Sequence, residues 1–380
     1  MIQTETLVVG GSISGLALAP SLQKQGIEYV IIERHSQIAS PWRNHYDRLH
    51  LHTNKRISNL PYKKFDSKIP RYPTRQQVVA YLEDYQKEFN IDPIFNTEAK
   101  SIRKENGCWV TETNNETFKS KYLIMATGAF GNPKSVCFEG METFPGMILH
   151  SCKYKTGVDF KGQRVLVVGF GNSACEIAID LYEQAAIPCM SVRSPVNIIP
   201  RELAGIPILE LGLIMSRLPP RVADTINAPL MRLIFGDITK LGLRKMPYGP
   251  FEQIKKDRNI PVLDIGTVKH IRKGHIKVYG GIDHIEGSAV HFLDGKKEKF
   301  NAIVACLGFN RSNAEIIAVD KNRFEDLNVC VNEQKYFGKD NLYFCGFWVG
   351  PTGLIHEIAA DAQKIAKDIA KKERFSKKYV

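Results

Sequence analysis

The chain has 380 residues, 43% of them hydrophobic and 24% charged, and its 52 Lys and Arg against 40 Asp and Glu give a net charge of +12. That length and apolar content exclude a disordered or fibrous chain and lead us to expect two domains with a large core. The eight cysteines (Cys108, Cys137, Cys152, Cys175, Cys189, Cys306, Cys330 and Cys345) form no C-x-x-C pair and no metal-ligand spacing. They read as reduced thiols in a cytoplasmic enzyme rather than a disulfide framework, a redox dithiol or a zinc site. The first strand starts almost at Met1, which leaves no room for a leader, and the apolar stretches 206–218 and 226–243 are broken by Glu210 or by Arg232, Asp237 and Lys240. Amphipathic helices are expected there. The positive excess fits nucleic acid, an anionic membrane surface or anionic small ligands; nothing resembles a nucleic-acid module, and the basic stretch 371–378 reads as a solvated helix end.

In chain order, Leu7-Val8-Val9 runs into the turn Gly10-Gly11-Ser12-Ile13-Ser14-Gly15 and then a helix. An apolar strand feeding such a turn aims backbone N–H groups and a positive helix end at a pyrophosphate. Ser12 stands where a glycine would let the backbone approach the phosphates closely; its hydroxymethyl group is small, and dinucleotide binding is expected to survive it. Tyr29–Ile32 reads as the second strand, and Glu33 follows about twenty residues past the glycines, where a carboxylate accepts hydrogen bonds from a ribose.

From Ser40 to Pro73 the chain is rich in His, Arg and Pro and lacks helical period. It carries Trp42 and Arg48, both expected at a bound cofactor, and Arg43, Arg48, Lys55 and Arg56 can each hold a ligand carboxylate. His45, His50 and His52 come without a carboxylate pattern, so no metal is expected. Thr74 reads as the N-cap of a helix carrying Val78, Val79, Tyr81, Leu82 and Tyr85. Residues 101–110 and 116–121 alternate like a hairpin turning at Asn106-Gly107 or Asn114-Asn115, and 122–128 is a buried parallel strand whose Thr127 and Gly128 are expected at the cofactor.

Residues 165–168 lead into a second turn, Gly169-Phe170-Gly171-Asn172-Ser173-Ala174, whose last position is the alanine variant common where a 2′-phosphate is accommodated. Arg193, near the end of the next strand, can pair with that phosphate, so NADPH is expected over NADH; Arg201 is a second candidate. A proline-rich, partly helical insertion spans about 200–261, and a strand at 300–309 closes the unit. Asn341–Gly346 is a strand whose Gly346 is expected at the cofactor, and a helix from Leu354 returns to the first domain. The expected fold class is α/β with two dinucleotide-binding, Rossmann-type domains of three layers (ββα/βαβ). Residues 1–157 and 310–380 would bind FAD, with 158–309 inserted to bind NADPH.

Between the two turns stands Phe144-Pro145-Gly146, followed by His150 and Tyr154. This F-x-G-x-x-x-H-x-x-x-Y spacing resembles the class B flavin-containing monooxygenases. Segments 41–52, 72–75, 126–128, 169–173, 263–267 and 341–361 narrow the resemblance to the YUCCA-type branch, over nearly the whole chain. The resemblance implies FAD, NADPH and O₂, and the oxidative decarboxylation of an anionic 2-oxo acid such as indole-3-pyruvate through a (hydro)peroxyflavin. Since the cofactor carries the oxygen chemistry, no side chain is assigned a catalytic part, His52 and Asn54 being the nearest candidates. In this family His150 is implied to shape the linker and cofactor positions, or to be purely structural. Tyr154, standing where Baeyer-Villiger enzymes have Trp, argues against ketone ring expansion. Leu307 and Phe309 replace the Thr and Tyr of the family's second Ala-Thr-Gly-Tyr motif. N- or S-oxygenation of a small amine or thioether, an NADPH-flavin reductase, and a nucleotide sensor that lost turnover through Ser12 stay open, as does an oligomer; membrane insertion is not expected.

Overall fold

The computed structural model describes residues 1–128, 131–215, 217–257, 259–310, 317–318, 338–347, 350 and 352–378. β1 (Ile2–Val9) ends in four buried residues and leads through the first glycine turn into α1 (Ile13–Gln23), buried along most of its length. β2 (Tyr29–Ile32) pairs parallel with β1, from Thr6 opposite Tyr29 to Val9 opposite Ile32. After the short α2 (Ser40–Arg43), α3 (Arg75–Glu88) starts at a capping box, in which Thr74 Oγ1 accepts the Gln77 N–H at 3.2 Å and Gln77 Oε1 accepts the Thr74 N–H at 3.0 Å.

β3 (Ala99–Glu105), β4 (Cys108–Thr113) and β5 (Thr117–Met125) form an antiparallel meander of two hairpins, which turns at both of the places the sequence offered as alternatives for one. Asn106 (φ +48°) and Gly107 (φ +81°) supply the left-handed backbone that a two-residue hairpin of this twist requires. The sequence divides 116–121 from 122–128, whereas the structure makes one strand of them. Alternating burial at its start gives way to full burial as β5 runs into the sheet centre, paired parallel with β1 along its length.

The second sheet is parallel throughout. It uses β6 (Met147–His150), β7 (Arg164–Val168), then α4 (Asn172–Glu183) and β8 (Ile187–Ser191). The insertion holds α5 (Ile208–Met215), α6 (Pro220–Phe235) and α7 (Pro250–Asp257), after which come α8 (Thr267–Arg272), β9 (Lys277–Tyr279) and β10 (Ala302–Ala305). Strand order is β9-β8-β7-β10-β6, and its core gathers Leu166, Cys189, Tyr279, Phe292 and Ile303. The chain then returns to the first sheet, where β11 (Leu342–Phe344) pairs parallel with β5 and α9 (Leu354–Lys378) packs along α1.

Two compact units result. Met1–Arg43, Thr53–Asn132 and Phe309–Val380 form the first, Asn44–His52 and Pro133–Gly308 the second. This differs twice from a boundary at 157. Residues 133–157 fall in the second unit because β6 completes its sheet against β10, His150 opposite Ala305. Residues 44–52 also fall there, although first-unit sequence flanks them on both sides. Among the described residues no helix is long and apolar enough to cross a membrane.

Candidate functional site

At the first turn, Gly10 has φ +115° and donates its N–H to Ile32 O at 2.8 Å. A Cβ there would lie 2.8 Å from Ala126 O, and one on Gly15 would come closer than 3.0 Å to Gly10 O, so both positions require glycine for α1 to start against the sheet. Ser12 is extended (φ −98°) and places no side-chain cap on α1, which leaves the first-turn N–H groups of Ile13, Ser14 and Gly15 without intrahelical acceptors. That is the donor set a pyrophosphate takes. Glu33, 7% exposed, lies at the turn itself: its Oε2 accepts the Gly11 N–H at 2.7 Å and its Oε1 the His35 N–H at 2.9 Å. Each oxygen retains a lone pair for a ribose hydroxyl. At the end of β5, Thr127 Oγ1 is buried without a partner among the described residues, and Gly128 has φ +71°. Gly346 (φ +84°) lies against Ser14, whose Oγ a side chain at 346 would strike. An orphaned hydroxyl, free helix N–H groups and obligate glycines fit a dinucleotide. Trp42, half-buried, lies on α2 of the same unit.

The second turn repeats the arrangement. Gly169 has φ +116°, donates to Ser191 O at 2.9 Å, and would place a Cβ 2.8 Å from Cys306 O. A Cβ on Gly171 would meet nothing within 4 Å, so open space lies before the uncapped N-terminus of α4, again as a pyrophosphate requires. Phe170 and Ala174 are buried, Asn172 Oδ1 accepts the Leu263 N–H at 2.8 Å, and Ser173 hydrogen-bonds the Tyr46 hydroxyl. Arg193 is exposed just past β8, and among the described residues no carboxylate pairs with it. Arg201 is half-buried.

What the sequence reading missed is a row of acids, Glu176, Asp180 and Glu183, on one face of α4. Glu176, 2% exposed, accepts from the Tyr46 hydroxyl at 2.7 Å, meets His52 Nε2 at 3.2 Å and lies 3.7 Å from Arg48 Nη1. Burial pushes its carboxyl up, but these three partners outweigh burial and hold it below the usual carboxylate range. Asp180 accepts from the Tyr154 hydroxyl at 2.6 Å and the Gly157 N–H at 2.8 Å. Glu183 is gripped bidentately by Arg48 at 2.8 and 2.9 Å. Acids at i, i+4 and i+7, the first two within the apolar run 174–181, were the available signal, because buried carboxylates need partners from elsewhere in the chain.

These bonds correct several assignments. Arg48, expected at the cofactor or a substrate carboxylate, has its guanidinium taken up by Glu183 and Glu176. Arg43 binds Glu83 and the Ile38 carbonyl, and the Lys55 ammonium is held by the carbonyls of Asp66, Ser67 and Ile69. Of the four cations, Arg56 alone is exposed and without an acidic partner among the described residues. The Asn54 Oδ1 accepts the N–H groups of Arg56 and Ile57, so this side chain caps the short helix at 55–57. His45 Nδ1 accepts the Tyr46 N–H, His50 Nδ1 contacts Arg48 O, and His52 turns to Glu176. The His150 Nδ1 accepts the Cys152 N–H at 3.2 Å while its Nε2 donates to Gly308 O at 3.1 Å, which requires the neutral ring; burial lowers its pKa accordingly. Gly146 is needed because a Cβ would strike Asn301 O, Phe144 fills the second core, and Leu307 packs against that core.

Comparison with known proteins gives three findings. Residues 7–198 match the family model described as pyridine nucleotide-disulphide oxidoreductase. The chain is 38% identical over 382 residues to indole-3-pyruvate monooxygenase YUCCA6 of Arabidopsis thaliana, covering 97% of this chain and 91% of that protein. In structure it resembles a flavin-containing monooxygenase from Stenotrophomonas maltophilia (TM-score 0.71, 18% identity, 98% and 99% coverage) and cyclohexanone monooxygenase from Rhodococcus sp. Phi1 bound to NADP⁺ (TM-score 0.76, 16% identity, 98% and 85% coverage).

Proposed function

This chain belongs to the YUCCA-type branch of the flavin-containing monooxygenases, with FAD and NADPH as cofactors, and from that premise we propose that it oxidatively decarboxylates an aromatic 2-oxo acid such as indole-3-pyruvate. The observation that carries this reading is 38% identity across 97% of the chain to a protein named for that activity. In balance, the 2-oxo acid, O₂, NADPH and a proton yield the carboxylic acid one carbon shorter, CO₂, NADP⁺ and water. Bound FAD would supply the activation of O₂, with NADPH as the reductant.

The chain's own residues bind and orient. The N–H groups of Ile13, Ser14 and Gly15 receive the FAD pyrophosphate, Glu33 its ribose, and Thr127 Oγ1 supplies a donor that has no partner among the described residues. The turn from Gly169 to Ala174 receives the NADPH pyrophosphate, and Arg193 its 2′-phosphate. Arg56 holds the substrate carboxylate, since its neighbours Arg43, Arg48 and Lys55 are already bound within the fold.

The test mixes purified protein with NADPH, O₂ and indole-3-pyruvate, and counts indole-3-acetate, CO₂ and hydrogen peroxide per NADPH consumed. Close to one product acid per NADPH is expected, with Arg56→Gln raising KM for the keto acid while leaving KM for NADPH unchanged. Oxygenation of a thioether with the keto acid ignored would move the assignment to N- or S-oxygenation. Peroxide release alone would make the protein an NADPH oxidase.

A further inference from the structure

The C-terminal half of α9 forms one wall of a cavity of about 500 Å³ lined by Gln25, Lys367, Ala370, Lys371, Arg374 and Phe375. Lys367, Lys371 and Arg374 recur at helical spacing, so their side chains share one face. All three are exposed, and among the described residues none has an acidic partner. The acids of the same helix segment are engaged on other sides: Asp368 accepts from the Tyr343 hydroxyl at 2.7 Å and pairs with Lys372, while Glu373 pairs with Lys121 at 2.6 Å and accepts from the Tyr122 hydroxyl at 2.7 Å.

Two structural explanations for the three cations fall short. A helix dipole rewards cations only within the last turn, and Lys367 stands well before the end of α9 at Lys378. The carbonyl end of α1, which Gln25 follows, is already closed by the N–H groups of Lys24, Gln25, Gly26 and Ile27. What remains is a concave site of ligand size with three uncompensated positive charges, an amide and one apolar corner, where Ala370 is buried and Phe375 is 54% exposed.

We propose that this cavity binds a phosphate ester that carries an apolar group, at a site separate from both glycine turns. The three cations and the Gln25 amide would bind the phosphate oxygens, and Phe375 with Ala370 would cover the apolar part. The site is remote from the first turn: Ile358 packs near Gly346, and Lys371 lies thirteen residues further along the helix, about 20 Å away. Either a lipid headgroup or a free nucleotide has this chemistry.

The test uses FAD-loaded protein with saturating NADP⁺, so that both turns are filled. It is titrated calorimetrically with adenosine monophosphate, and separately sedimented with phosphatidylcholine vesicles containing about 30 mol% phosphatidylglycerol. Binding of at least one probe is expected, falling steeply with added salt, and weakened at least about tenfold in Lys371→Gln/Arg374→Gln with flavin content and NADPH oxidation unchanged. Nucleotide binding alone assigns a soluble ligand, vesicle binding alone a lipid headgroup. Lys273→Gln/Lys277→Gln removes equal charge from exposed positions of the second unit and should leave binding intact. No binding of either probe, undiminished binding by the first double variant, or an equal loss in the second overturns the proposal.

Discussion

At the first turn Gly10 stands at φ +115° and donates to Ile32; at the second Gly169 stands at φ +116° and donates to Ser191. In each, the missing side chain lets the next strand's carbonyl, of Ala126 or Cys306, come within 2.8 Å of where a Cβ would be. The turns diverge elsewhere. Gly15 is squeezed against Gly10, whereas its counterpart Ala174 tolerates a methyl group. An acid, Glu33, clasps the first turn after β2, whereas Arg193, an arginine with no acidic partner among the described residues, follows β8. Backbone geometry that serves any pyrophosphate is thus shared, and on the proposed assignment the side chain past the second strand of each unit, Glu33 or Arg193, distinguishes the two nucleotides.

The comparison breaks most visibly at the last turn position. Gly15→Ala should cost about 3 kcal/mol through overpacking and empty the protein of flavin, while Ala174→Gly should cost about 1 kcal/mol, chiefly in helix propensity. Absorbance at the flavin band and urea unfolding check both, and equal losses would end the asymmetry. Next come the reading residues. Glu33→Gln should weaken flavin retention by about 2 kcal/mol, since one buried and one half-buried N–H group lose a charged acceptor. Arg193→Gln should raise KM for NADPH about tenfold, some 1.4 kcal/mol, and leave KM for NADH unchanged.

The units should also differ in their response to acid. In the first, burial and then Glu357 push Asp361 up to about 6, so the folded state holds a proton that the unfolded chain releases above about 4. Its contribution is present in acid and is lost as pH rises from about 4 to about 6. In the second, burial lowers His150, so the unfolded chain binds the extra proton and stability falls as pH drops below about 6.5. Urea midpoints across this range should lose the falling slope in Asp361→Asn and the rising one in His150→Gln. The smallest effect belongs to Ser12→Gly. Since Ser12 is extended at φ −98°, glycine there relieves no strain, and flavin affinity should change by no more than about 0.5 kcal/mol; a large gain would mean that the serine obstructs the phosphates.

Both turns, Thr74 as an N-cap and the antiparallel pairing at 101–121 were legible in the sequence, because strand burial, helix caps and left-handed turns leave local residue signals. Long-range electrostatics were not. Nothing near Arg48 announces Glu183, and nothing near Lys55 announces the three carbonyls that hold it, so cations that look available for a ligand are spent within the fold. The F-x-G-x-x-x-H-x-x-x-Y spacing was visible, but its work was not: Gly146 admits a neighbouring carbonyl, His150 is a doubly bonded neutral ring and Tyr154 anchors to Asp180. Likewise, the strand at 147–150 could be seen as apolar, while its choice of sheet depended on β10, more than 150 residues later.

The placement of residues 44–52 has a consequence for how the chain comes off the ribosome. Tyr46, Arg48 and His52 are made early, yet their carboxylate partners Glu176 and Glu183 emerge more than 120 residues later. At about 5–20 residues per second, that short segment waits several seconds with its partners unmade. The first unit waits longer still, because β11 and α9 close it only after the whole second unit has been synthesised. Of the two units, the one started first is therefore the one finished last.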